Sequence, residues 1–421
     1  MNADPVQNPT GTFEPAQREG KPVLASRLPI LLPQDLNRQS ARLRELGPVV
    51  EVEIVGGVTV RAVTDHAVLT EALAHPGVRK ELRHWRAWSD GEIPMDWPLV
   101  TWVAPDNMLT ADGDRHRRLR ALVSQAFTPR RVEALRPRVE AITAELLDGI
   151  TAAETETVDL KEALALPLPN TVISELFGVA PKHRGTLHRL MHTIFDARTT
   201  PEEAGRVHGE LQSFLAGLAE AKAQDPGDDL TSALLAARAE GEERLSQSEL
   251  VWTLILMIGA GYETTMNLIG NSVHALLTHP DQLELVRSGR ASWADVVEET
   301  LRWDASIQYM PLRYTSEEVT LGGVTVPAGE ALLMGFGPAG RDPKQHGDDA
   351  EGFDLTREQR GHLAFSRGPH FCMGAGLARL EGVTALKMLF DRFPDLSLAG
   401  EAVREPSIVA SGWSVLPVRV S

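Results

Sequence analysis

Apolar positions along this chain recur mostly at helical spacing. Leu119, Leu122, Val123 and Phe127 lie three or four apart within the basic stretch Arg115–Phe127, which predicts a helix that stops before Pro129. Val132, Leu135, Val139, Ile142 and Leu146 carry the spacing on and predict an amphipathic helix over Arg130–Ile150. Pro137 falls inside it, so that helix either kinks there or starts later. Ser246 and Glu249 read as a capping box that opens a helix running to about Thr278, just before Pro280. Its middle, Trp252 to Ile258, is apolar on every face, so it must pass through a core. A helix of that length spans about 45 Å, which favours one large body over several small ones. Strict alternation appears only twice, over Val49–Val63 around Gly56-Gly57 and over Val319–Val326 around Gly322-Gly323, each predicting a hairpin. Gln224–Asp229 reads as a loop, and neither a repeat nor a dividing linker is visible. The prediction is a mainly α chain with minor β, in a single domain over 22–421 behind a flexible polar tail over 1–21.

Composition narrows the class. The 421 residues are 43% hydrophobic and 24% charged, which is globular. With 42 Lys+Arg against 58 Asp+Glu the net charge is −16, which argues against a general nucleic-acid binder. The longest apolar stretch, Leu250–Tyr262, is well short of the roughly 20 residues a span needs, so no membrane anchor is expected and the cytoplasm is the expected location. The tail lacks the apolar core of a signal peptide. A single cysteine, Cys372, excludes an intramolecular disulfide framework, a Cys-rich zinc site and a cysteine-held iron–sulfur cluster.

Candidate chemistry begins at that cysteine. Glycine and proline punctuate Phe365–Gly374, and Leu377, Leu380, Ala385 and Leu386 then fit a helix. The thiol therefore sits at or just before a helix N-terminus, where free N–H groups and the dipole favour a thiolate. The ordinary alternative is a small buried hydrophobe. Inside the long helix, Gly259-Ala260-Gly261 precedes Tyr262-Glu263-Thr264-Thr265. Each glycine costs about 1 kcal/mol there, which suggests a close approach to the backbone. A helix crossing with a satisfied Glu263 is the other reading. Glu299 and Arg302 stand at i and i+3, ordinarily a surface ion pair. His116 and Arg120 share one face, as an anion clamp or as a solvated basic surface. Arg313 is uninformative alone.

In this order the pieces resemble the cytochrome P450 family of haem-thiolate monooxygenases, especially its soluble actinobacterial members. Phe365, Gly368, Cys372 and Gly374 match the cysteine loop; Ala260, Gly261, Glu263, Thr264 and Thr265 match the oxygen-activating helix; Glu299 and Arg302 match the Glu-x-x-Arg pair. Two departures concern loops: Ser366 where Gly is common, and Gly340 before Arg341 where Asn is common. The resemblance implies haem b, with the Cys372 thiolate as axial ligand and N–H groups of the turn around Gly374 moderating it. It implies that His116, Arg120, Arg313 and His370 face the haem propionates, that Phe365 packs near the sulfur, and that Glu299–Arg302 is structural. Ala260 and Gly261 are then expected to border the oxygen site, Thr264 to hold a proton-donating water, and Glu263 to connect it to solvent.

With no Gly-x-Gly-x-x-Gly and no cysteine cluster, the electrons are expected from an external ferredoxin and ferredoxin reductase driven by NAD(P)H. Arg115, Arg117, Arg118, Arg130 and Arg131 are the expected docking patch. The expected reaction uses O2 to hydroxylate a hydrophobic small molecule: a steroid, macrolide, terpenoid or aromatic natural product. Oxidative coupling or desaturation by the same chemistry is the alternative. A haem sensor has no need of the Glu263–Thr264 pair, and a hydrolase using Cys372 as nucleophile needs no haem. The segment Val78–Asn107, with Trp85, Trp88, Trp97 and Trp102, and the stretch Leu187–Arg198 are expected to wall the pocket, with core packing as the alternative for some of those tryptophans, in a monomeric protein.

Overall fold

The computed structural model describes residues 28–195, 199–240, 245–358 and 361–420, so the expected tail lies outside the described residues. Its axis is the helix Gln247–Thr278, opened by the capping box: the Ser246 hydroxyl accepts from the Glu249 amide, and the Glu249 carboxylate accepts from the Ser246 amide. Leu254, Ile258, Leu268, Val273 and Leu276 are 0–1% exposed, as a helix apolar on every face requires. Around it pack the helices Pro167–Leu176, Pro201–Gln224, Trp293–Trp303 and Ala375–Arg392.

The predicted Arg130–Ile150 helix is two pieces. A short turn, Pro129–Ala134, ends, and a new helix starts at Arg136 and runs to Ala152. Pro137 falls in that new first turn, where its missing N–H costs nothing. Both predicted hairpins form, with Val52 opposite Val60 and Thr320 opposite Thr325.

The first hairpin belongs to a five-stranded sheet, ordered 49–54, 58–63, 331–335, 309–315, 78–79. Strand 331–335 runs parallel to 58–63, and the other pairings are antiparallel. Between Met310 and Arg313 the register slips. Pro311 lies in the slip and has no N–H for the ladder. Beyond it Leu312 joins the core under the sheet, while the buried Arg313 takes the opposite side of the strand.

The tryptophan expectation is corrected here. Trp85 and Trp97 are 2% and 1% exposed in the core under the sheet, where Trp85 stacks on Tyr314 and the Trp97 indole donates to the Val55 carbonyl at 2.8 Å. Trp88 and Trp102 pack partly buried against the same core. They stabilise the sheet end of the molecule. Leu187, Leu190 and Met191 likewise point into a core, and residues 196–198 of that expected wall lie outside the described residues.

Candidate active site

Cys372 lies on a loop held by its own amide donating to the Phe365 carbonyl at 2.9 Å. The loop turns through two left-handed residues, Gly368 at φ 75° and Ser366 at φ 61°. Glycine takes that conformation freely and serine does not. Gly374 caps the helix Ala375–Arg392, and the amides of Gly374 and Ala375 face the sulfur. Burial pushes the Cys372 thiol up, while those amides and the nearby Arg120 and Arg379 favour the thiolate. Arg379 lies 4.6 Å above the Phe365 ring and pairs with Glu298, which also meets His362 at 3.2 Å. Burial opposes the Glu298 charge, yet Arg379 and His362 hold its carboxyl down to about 2.

Beside the loop is a buried basic cluster. His116 and Arg313 are 3% and 6% exposed, and the His116 and His370 rings lie 4.1 Å apart. The Arg120 guanidinium donates to the Phe371 carbonyl at 2.6 Å. The structure thus brings His116, Arg120, Arg313 and His370 together from three segments. Burial and the neighbouring cations lower both histidines, and burial brings the Arg313 guanidinium to about 10. Among the described residues the Arg313 side chain has no hydrogen-bond or ion-pair partner. A buried unpaired guanidinium is costly, so the site fits an anionic group. Two residues that the sequence did not single out also belong here: Lys80, 4% exposed, and Asp112, whose carboxylate accepts from the amides of Lys80 and Glu81 at 2.7 and 3.0 Å. Neither carries a local sequence signal, because both are recruited by tertiary packing.

On the long helix Ala260 is exposed although its neighbours are buried. The Thr264 hydroxyl donates to the Ala260 carbonyl at 2.8 Å, one turn back. The Thr264 carbonyl accepts from the Ser306 hydroxyl at 2.7 Å, a contact with no sequence signature. Glu263 is half-buried; burial first, then the Glu405 carboxylate, push its carboxyl up to about 7 against the pull of Lys161. Met373, next to Cys372, packs against the hydrophobic cluster to which Ile258 and Tyr262 also belong.

At Gly261 the close approach is made by a neighbouring helix: a Cβ there would lie 2.6 Å from Cδ1 of Ile173, so the glycine lets the helix Pro167–Leu176 pack against the long helix. The Gly340 departure has a similar cause, because a Cβ there would clash with the Arg302 carbonyl.

Glu299 and Arg302 are wholly buried, paired through two hydrogen bonds of 2.8 and 2.7 Å. Arg302 also donates to the carbonyls of Gly340, Ala350 and Gly352, and the Asp354 amide donates to Glu299. The expected docking arginines are mostly engaged locally: Arg115 with Asp106, Arg117 with Asp114, Arg118 with Glu249. Arg130 and Arg131 are exposed.

Residues 294–407 match the model of the family "Cytochrome P450". The chain is 43% identical over 391 residues to 2-hydroxy-5-methyl-1-naphthoate 7-hydroxylase of Streptomyces carzinostaticus, covering 92% of this chain and 95% of that one. It is 40% identical over 392 residues to Cytochrome P450 107B1 of Saccharopolyspora erythraea, at the same two coverages. The chain belongs to the cytochrome P450 family. Among solved structures, CYP154C4 from Streptomyces sp. W2061 matches with a TM-score of 0.90 and 44% identity, over 94% of this chain and 99% of that one. This P450 is therefore a haem-thiolate monooxygenase that acts on hydrophobic small molecules and works with redox partners. Its one cysteine, Cys372, supplies the thiolate. Among the described residues no group of three or more His, Cys, Asp or Glu side chains could hold a metal ion. No single helix is long and apolar enough to cross a membrane.

Proposed function

We propose that this P450 inserts one oxygen atom into an apolar polycyclic or macrocyclic natural product, with electrons from a ferredoxin and its reductase. When bound, the haem supplies reductive activation of O2. The remaining work falls to the chain. Cys372 would hold the haem iron through its thiolate, its charge moderated by the amides of Gly374 and Ala375. Arg313, Arg120, His116 and His370 form the basic wall for the propionates.

Thr264 would hold a water beside the exposed Ala260, and Glu263 would pass protons to it. The observation that carries this reading is the Glu263–Thr264 pair: an acid that titrates near neutrality beside an exposed hydroxyl, midway along a helix that is otherwise core. Substrate class follows from the relatives, one of which is a naphthoate hydroxylase by name and another a 6-deoxyerythronolide B hydroxylase. For ferredoxin docking the exposed Arg130 and Arg131 are the free part of the basic patch.

The test is a difference-spectrum screen of aromatic polyketides, macrolides and steroids, followed by turnover with ferredoxin, reductase and NAD(P)H. Product heavier by one oxygen supports hydroxylation. Product lighter by two hydrogens, with no oxygenated product from any binder, replaces it with coupling or desaturation. Cys372→Ser should lose the strongly red-shifted Soret band of the reduced carbon monoxide complex; retention of that band refutes the thiolate assignment.

A further inference from the structure

Lys80 follows the short strand Val78–Arg79 and is 4% exposed. Lysines are almost never this buried unless paired. Yet its ammonium makes a single hydrogen bond among the described residues, to the Leu312 carbonyl at 3.1 Å. No carboxylate lies within ion-pair range. The nearest acid, Asp112, is engaged with the backbone amides of Lys80 and Glu81 through one oxygen and stands 4.0 Å from His370 through the other. Two donors of the ammonium are left with no protein acceptor.

The charges around Lys80 say what is missing. Its own segment brings Arg79, Glu81 and His84. The helix Gly113–Ser124 and its cap bring Asp112, His116 and Arg120; strand Tyr309–Thr315 brings Arg313; the turn before Cys372 brings His370. Around Lys80 the permanent guanidinium charges are the buried Arg313 and the half-buried Arg120, and among the described residues the facing carboxylate is Asp112. Burial and these cations lower both histidines. The haem propionates would bring two further negative charges, and the Lys80 ammonium, buried with two donors unused, is placed to meet one of them. Without those anions, burial and Arg313 bring the Lys80 ammonium down to about 7.

We propose that Lys80 is the third cation of the propionate site, its ammonium hydrogen-bonded to a haem carboxylate, and that it takes up a proton as the haem enters. This rests on the haem reading above. Above neutrality the lysine without haem is neutral and the lysine with haem is charged. Each haem bound then brings one proton to Lys80 while the Cys372 thiol gives one up to become the thiolate ligand; relative to a variant whose residue 80 does not titrate, haem affinity falls up to about tenfold per pH unit as pH rises above about 7. Below that pH both forms are protonated and the dependence vanishes.

The test uses the full-length chain reconstituted with haem in weak buffer at about pH 8. Proton uptake is followed with an indicator dye, and haem release is followed by transfer to excess apomyoglobin. Wild type should take up close to one proton per haem more than Lys80→Arg, since the proton released by Cys372 is common to both. Lys80→Met should match Lys80→Arg in proton balance and release haem at least about tenfold faster at neutral pH, the loss expected for a hydrogen bond to a charged group. Lys80→Arg, charged with or without haem, should retain haem nearly as wild type does while lacking that extra proton. It keeps the proposal testable where Lys80→Met fails to fold. Proton uptake unchanged in Lys80→Arg, or haem release unchanged in folded Lys80→Met, overturns the proposal. The red-shifted carbon monoxide band is read in every sample. Its presence in wild type with unchanged release from Lys80→Met defeats the role of Lys80 alone, whereas its absence from wild type defeats the haem-thiolate reading itself.

Discussion

Two acids, the half-buried Glu263 and the buried Glu381, share a raised pKa for the same first cause, desolvation, but differ in what they can do with it. Glu381 is 1% exposed, one of its oxygens has no partner, and burial pushes its carboxyl up to about 8. The folded protein keeps that proton after the unfolded chain has lost it, so stability contributed by this residue falls as pH rises from about 4.5 toward 8. Glu381→Gln should match wild type in thermal unfolding at about pH 5 and exceed it at about pH 8.5, the gap growing by at most about 1.4 kcal/mol per pH unit. Equal melting temperatures at both pH values would remove the desolvation account. Glu263 sits instead beside Thr264 with its carboxyl near 7. Thr264→Ala should keep consuming NAD(P)H while product falls and hydrogen peroxide rises. Glu263→Gln should slow consumption itself. In wild type, product per NAD(P)H should decline as pH rises above about 7, where the neutral acid is depleted, and this decline should be absent in Glu263→Gln. A Thr264→Ala enzyme with wild-type product per NAD(P)H assigns proton delivery to another group.

At the scale of elements, the long helix is positioned by contacts on both sides of its functional turn. Ile173 fills the space beside Gly261, and the Ser306 hydroxyl holds the Thr264 carbonyl. Gly261→Ala should therefore destabilise the helix packing by about 1–3 kcal/mol, the usual cost of overpacking. Ile173→Ala opens a cavity by itself, but combined with Gly261→Ala it should recover part of that loss. Denaturant unfolding of the two single variants and the double variant checks this, and strict additivity would refute the contact. The glycine pattern was legible in the sequence as a close approach. What approaches was not, because Ile173 lies almost ninety residues away and nothing local distinguishes a ligand from a neighbouring helix.

Across the whole molecule, the Glu299–Arg302 pair fastens the segment between the sheet and the cysteine loop. It bonds the backbone at Gly340, Ala350, Gly352 and Asp354, and Arg357 approaches Glu299 to 3.5 Å. Glu299→Ala strands a fully buried guanidinium and should cost about 3–5 kcal/mol. Folded, haem-loaded protein should fall steeply in yield, and normal haem content in Glu299→Ala would make the pair dispensable.

Residue pattern alone determined the helical class, the long helix with its capping box, both hairpins and the cysteine loop, because turns, caps and amphipathic spacing are written within a few residues. It also marked Cys372, Glu263, Thr264 and the Glu299–Arg302 pair, each of which stands in a short motif of adjacent residues. Tertiary structure decided the rest. Trp85 and Trp97 became core because the sheet covers them, and the arginines at 115, 117 and 118 found local acids. The basic cluster drew Lys80, Asp112, Arg313 and His370 from segments nearly three hundred residues apart. Burial there converts ordinary side chains into charges in want of a partner, and burial is a property of the packed chain that local spacing does not encode.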